Sequence, residues 1–150
     1  SKRKYWILMP LVDQRIIDFL LKHHVFSLAT SKDNHSYSAS CYYAYNHIEN
    51  SLIFSSDLKT THAKQFIENP KVSATIAVET DDIMKIQGLQ ILGIVHPLNQ
   101  EKLKLSIRIY LERFPYAKDF PLKLWSLKLN FIKMTDNSLG FGKKIIWSVD

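Results

Sequence analysis

Apolar positions change spacing along the chain, and each change predicts an element. Val12, Ile16, Phe19 and Leu20 recur at three and four residues, which predicts an amphipathic helix from roughly Leu11 to Lys22. Val25-Phe26-Ser27-Leu28-Ala29-Thr30 reads as a strand, and Ser31 to His35 supplies turn residues. Tyr37 to Tyr45, rich in aromatic side chains, predicts a second strand, and His47 to Asn50 a second turn. Leu52, Ile53 and Phe54 form a short apolar run that Ser55 to Asp57 break. Ala63, Phe66 and Ile67 return to helical spacing until Asn69-Pro70, because proline biases the residue before it away from the helical region. Val72, Ala74 and Ile76 alternate as the next strand begins.

In the second half, Ile83 to Val95 reads as a long strand in which Gly88 and Gly93 predict a bulge or a close backbone approach. Asp81-Asp82 precedes it as a turn, and Pro97 closes it. Leu103, Ile107, Tyr110, Leu111 and Phe114 form a stripe that predicts a helix from Gln100 to Phe114. Leu127, Leu129 and Phe131 alternate in a strand, Asp136-Asn137-Ser138 turns it, and Gly140 to Val149 forms the last strand. About seven strands and three helices result, with hairpin-like turns between the early strands. That order predicts a mainly β, α+β architecture, an antiparallel barrel with helices packed around its ends. Strands and helices do not alternate as a doubly wound parallel sheet requires.

The 150 residues suit one domain, with little room for a second. Hydrophobic residues at 46% and charged residues at 23% are a globular balance, which excludes a disordered chain. A net charge of +6 favours an anionic ligand or surface. The lysines are scattered, which argues against nucleic acid as partner. Cys41 is the single cysteine, so neither an intrachain disulfide nor a cysteine-cluster metal site can form. No apolar run approaches a membrane span, and Ser1-Lys2-Arg3-Lys4 lacks a following signal-type segment. The expectation is a soluble, cytoplasmic protein.

The most informative chemistry lies at the start of the second helix, near Thr60. Lys59, Thr60, Thr61, His62 and Lys64 crowd its first turn. A helix start offers unpaired N–H groups and a positive dipole end, so added hydroxyls and cations make a phosphate seat there. A threonine N-cap followed by solvated lysines is also ordinary helix-start chemistry. The six histidines lack the i, i+4 helical spacing of zinc enzymes, and no metal site is expected. His35 and His47 read as exposed turn residues, and His23-His24 as the cap of the first helix, where an imidazolium suits the dipole. Cys41 reads as a buried structural thiol, and there is no Gly-x-Ser-x-Gly elbow for a serine nucleophile.

Two segments carry a family resemblance. The strand-turn-helix ending Glu68-Asn69-Pro70-Lys71-Val72-Ser73, with the opening His24 to Thr30, resembles the FMN-binding split-barrel superfamily of pyridoxamine 5'-phosphate oxidase. Arg113-Phe114-Pro115 with Ile132 to Trp147 resembles its YhbP-like branch, and the likeness covers nearly the whole chain. The resemblance implies a split β-barrel, a homodimer and one flavin at each end of the subunit interface. The oxidases hold the ligand phosphate with an Arg-Lys pair at this helix start, and by register those positions are Thr61 and His62 here. Neither is a permanent cation, and Lys59 and Lys64 are the compensating charges. Ser55 and Ser56 match the polar strand end beside the phosphate and ribityl chain, and Gln90 a glutamine that approaches the flavin ring. Tyr42 and Tyr43 lie on the strand that contacts the ring, and only one of them can face inward.

Gly140-Phe141-Gly142-Lys143-Lys144 is too short for a Walker loop and precedes a strand. It reads either as a bulged hairpin with positive-φ glycines or as a device that brings Lys143 or Lys144, with Trp147, to a ligand across the dimer interface. The resemblance implies an FMN-binding oxidoreductase, with a small-molecule redox substrate or electron donor. The alternative is a non-catalytic split barrel that binds another anionic small molecule, and a basic nucleic-acid binder stands third. A deazaflavin would use a similar seat. Haem is disfavoured because no histidine follows His96.

Overall fold

The computed structural model describes residues 10–150. Within them run α1 (Gln14–Lys22), β1 (Val25–Lys32), β2 (His35–Asn46), β3 (Ser51–Ser55), α2 (Thr61–Glu68), β4 (Lys71–Ala77) and β5 (Gln87–Pro97). They are followed by α3 (Gln100–Arg113), β6 (Leu124–Asp136) and β7 (Lys144–Ser148). Residues 1–9, including the lysine-rich start, lie outside the described residues. The strand order is β3-β2-β1-β4-β5-β6-β7, and an added β3–β6 pairing closes six of the strands into a barrel. The ladders are antiparallel, as the hairpin-like turns predict. The antiparallel α+β barrel expected from the element order, a split barrel as the resemblance implies, is the fold observed.

One strand makes the closure possible. Leu124 to Lys128 of β6 pair with β3, and Phe131 to Thr135 pair with β7. Its other side follows β5 throughout. Between the two halves the β5–β6 register slips, with Leu92 opposite Phe131 and Gly93 opposite Leu129, so Asn130 is an extra residue. Gly93 has no alternative there: a Cβ would lie 2.4 Å from the Lys128 carbonyl oxygen and 2.8 Å from Leu127 Cδ1.

Strand alternation puts Phe26, Leu28, Tyr43, Leu52, Phe54, Leu89, Ile91 and Leu127 inside. Helix α1 adds Ile16, Phe19 and Leu20, and α2 adds Ala63 and Phe66. Phe66 meets Trp125 edge-on at 4.8 Å and Phe54 at 5.9 Å. Helix α3 lies outside the barrel, where Tyr110 and Phe114 pack with Ala44, Ile53 and Leu124.

Several boundaries differ from expectation. Helix α1 starts at Gln14, because Asp13 caps the Arg15 N–H at 2.9 Å. Ile83–Lys85 is a 3-10 turn capped by Asp82, and the strand begins only at Gln87. The last strand begins at Lys144, after a turn in which Gly140 and Gly142 have φ of 139° and 73°. His23 is the C-cap of α1, its N–H donating to the Phe19 carbonyl at 3.2 Å, but the charged side chain on the last carbonyls is that of Arg113. Arg113 donates to the carbonyls of Leu21, Lys22 and His23, while the His23 ring packs 4.2 Å from Phe19 and burial lowers its pKa.

Gly93→Ala tests the closure. It should cost at least about 2 kcal/mol, since the clash is with backbone and a packed side chain; urea denaturation with an unchanged midpoint would contradict the assignment.

Candidate functional site

The polar segment after β3 is organised around Ser56. Its N–H donates to the Lys123 carbonyl at 3.0 Å, and its own carbonyl accepts from Trp125 Nε1 at 3.0 Å. Its hydroxyl shares a hydrogen bond with His62 Nε2 at 2.8 Å and lies 3.9 Å from Cys41 Sγ. Ser55 Oγ accepts from the Lys123 N–H at 3.3 Å. This short segment is therefore pinned to the start of β6 before α2 begins.

Thr60 is the N-cap of α2. Its hydroxyl accepts from the Ala63 N–H at 3.2 Å and donates to the Asp57 carbonyl at 2.8 Å. The Lys64 N–H reaches the Thr60 carbonyl at 3.1 Å. Helical geometry gives the N–H groups of Thr61 and His62 no acceptor within the helix, so they are the donors an anion could use. Thr61, Lys59 and Lys64 are exposed around them.

The ring of His62, where the resemblance expects a cation, turns inward. Nε2 faces Ser56 and lies 3.4 Å from Thr60 Oγ1, and the ring centroid is 6.3 Å from that of Phe66. Burial lowers its pKa, so the ring is neutral at physiological pH. The Cys41 thiol is pushed up by burial and stays protonated.

Gln90 belongs to a different surface. It lies on the outer face of β5, between Thr75 and Lys133, and Lys133 faces Ile146 in turn. The next row is Ala29, Ser73, Leu92, Phe131 and Ser148, so small side chains flank an adjacent pair of large apolar ones. They floor an open groove of about 900 Å³. No residue of the Ser55–His62 segment lines it. Seat and groove are thus two features of one chain.

The tyrosines divide as the pleat requires. Tyr43 is buried and donates to the Leu20 carbonyl at 2.8 Å, whereas Tyr42 is 52% exposed and stacks on His24 at 6.0 Å. Trp147 is also buried, with Nε1 donating to the Pro10 carbonyl at 3.0 Å, so it presents no ring face at the groove. Lys143 is exposed in the glycine turn, and its carbonyl accepts from the Asp136 N–H at 3.1 Å. Asp136 holds that turn by accepting from the Ser138 N–H at 2.9 Å, Ser138 Oγ at 2.6 Å and Gln87 Nε2 at 3.2 Å. Cys41, Lys123 and Trp125 around Ser56 carry no short-range sequence signal, because they join it through the β2–β3 and β3–β6 neighbourhoods. Among the described residues no three His, Cys, Asp or Glu side chains converge as a metal site, and no helix is long and apolar enough to cross a membrane.

The closed antiparallel barrel with α2 against its core defines a split-barrel fold. The chain belongs to the UPF0306 family: it is 40% identical over 134 residues to a UPF0306 protein of Photorhabdus laumondii, covering 89% of this chain and 94% of that one. No family model matches it. Among solved structures, a candidate pyridoxamine 5'-phosphate oxidase from Listeria innocua superposes with a TM-score of 0.64 at 16% identity, covering 81% and 95% of the two chains. An FAD-binding protein from Mesorhizobium loti gives 0.65 at 17%, covering 83% and 94%. A heme-binding protein from Mycobacterium smegmatis gives 0.71 at 15%, covering 84% of this chain but 53% of its own, so this chain spans about half its length. At these identities the likeness is one of fold.

Burial lowers the pKa of both His62 and His23, so the unfolded chain takes up protons first as pH falls below the ordinary histidine value of about 6.5. Stability should therefore drop as pH falls through that value, and His62→Asn should remove part of the slope. Urea midpoints between pH 7 and 5, read against the unfolded histidine value, measure this; an unaltered slope in the variant would show that His62 is not buried neutral.

Proposed function

We propose that the protein is an FMN-binding redox protein of the split-barrel type, in the YhbP-like branch, acting as a cytoplasmic homodimer on a small-molecule substrate or donor. The observation that carries this reading is the start of α2, where the Thr61 and His62 N–H groups lack helical acceptors beside exposed Lys59 and Lys64. Those donors suit the FMN phosphate, and Thr60 and Ser56 fix the turn that presents them. Ser55 continues the polar strand end beside the ribityl chain. A likeness of fold to a FAD-binding protein and a candidate pyridoxamine 5'-phosphate oxidase adds support.

Bound FMN would supply hydride or single-electron transfer, and the chain's own residues would hold and orient it. The outer face around Gln90 has the small side chains that a flat ring requires. Because the seat and the outer groove are separate in one chain, a second copy is needed to enclose the flavin. In that arrangement Lys143 or Lys144 reaches the ligand from the partner, and Tyr42 rather than Tyr43 offers an exposed ring.

A second reading rests on His62. A neutral ring turned onto Ser56 leaves no permanent cation at either oxidase position, which suits a binding protein for another small anion. Titration with FMN, followed by flavin fluorescence, separates the two. We expect saturable quenching, with riboflavin binding at least about tenfold more weakly because it lacks the phosphate. Lys59→Ala with His62→Ala should weaken FMN and leave riboflavin unchanged. Equal affinity for FMN in this double variant would remove the phosphate seat, and no flavin binding at all would leave the second reading.

A further inference from the structure

At the end of β5, His96 and Pro97 are shared by two adjoining cavities. The first, of about 430 Å³, is walled by Phe66, Ile67, Pro70, Val95 and Trp125. The second, of about 390 Å³, is walled by Glu49, Lys102, Ser126 and Lys128. Apolar and cationic walls therefore meet around one strand end. They meet beyond the second half of α2, because Phe66 and Ile67 face the cleft whereas the anion donors of that helix are in its first turn.

The charge in the polar half is not balanced. Lys102 Nζ lies 3.8 Å from Glu49 Oε1. Lys128 Nζ instead donates to the neutral Glu49 carbonyl. Two ammonium groups against one carboxylate leave a single excess positive charge in the cavity walls. Next to these walls, though not among the residues that line them, a hydroxyl is also left over. Ser51 is directly opposite Lys128 in the β3–β6 register, so their side chains share a sheet face. It is 1% exposed, and its Oγ has no hydrogen-bond partner. A buried hydroxyl without a partner is unfavourable unless something satisfies it. Ser126, 7% exposed, lines the cavity beside it.

We propose that this two-part cleft binds an amphipathic small-molecule monoanion: an apolar body on Trp125 and Phe66, and a carboxylate between Lys128 and Lys102. A hydrated inorganic ion would leave the apolar half empty, and a neutral apolar molecule would leave the excess charge unmatched. The site is distinct from the flavin seat, although Trp125 touches both through its bond to the Ser56 carbonyl, and its occupancy does not require FMN.

Heteronuclear NMR of the whole chain, titrated with octanoate and separately with octanol, tests it. Octanoate should give saturable shifts at the Trp125 indole N–H and at the His96 and Lys128 amides. Octanol should bind about tenfold more weakly, as expected when one charge-assisted hydrogen-bonded contact is lost. Lys128→Met should bring octanoate down to the octanol affinity. Ile67→Glu, at a position 51% exposed and so tolerant of charge, should repel octanoate while the protein stays folded. Equal affinities for the two ligands, no saturation at millimolar octanoate, or shifts confined to the first turn of α2 would each overturn the proposal.

Discussion

The pairing of β3 with the first half of β6 holds the barrel shut. Without it the sheet has two more unpaired edges and the interior opens between them. Because β6 must also carry β7, it has to change partners along its length, and the slip at Leu92 and Gly93 lies where it does so. The glycine lets β5 come close to the Lys128 backbone at that point. The same pairing sends Ile53 outward under α3 while Leu52 and Phe54 face inward, so closure sets both hydrophobic clusters.

Closure also positions the chemistry. Ser56 follows the last residue of β3, and its backbone is tied to Lys123 and Trp125 at the start of β6. Helix α2 begins five residues later in a frame already fixed at both ends, and Phe66 then locks it against Trp125. The donors at its first turn are held in place without any cation of their own. The exposed Lys59 and Lys64 bring positive charge to this turn, where solvent screens it. Main-chain dipoles are therefore the larger fixed contribution.

Much of this was legible in the sequence where periodicity is strong. The spacing of Ile16, Phe19 and Leu20, the Asn69-Pro70 stop and the alternation Val72, Ala74, Ile76 located their elements, and element order led to the barrel. Ile83 to Ile86 misled because its apolar side chains, unlike those of a buried strand, are exposed around a 3-10 turn that Asp82 caps. At the site, Thr60 as N-cap was readable from local chemistry. The inward turn of His62 was not, since its partner Ser56 is positioned by β6, some seventy residues away. Trp147 showed the same limit: one residue of strand parity decides between core and surface, and the glycine turn before it hides that parity.

Closure across a long sequence separation also orders events during synthesis. Ser51 meets Lys128 only after most of the chain has been made, so β1 to β4 emerge from the ribosome with their last partner still missing. Until β6 arrives, Leu52 and Phe54 are on an open edge, where a chaperone or a neighbouring nascent chain competes with the barrel for them. The strand that makes this fold compact is thus also the one whose delay leaves it most exposed to aggregation.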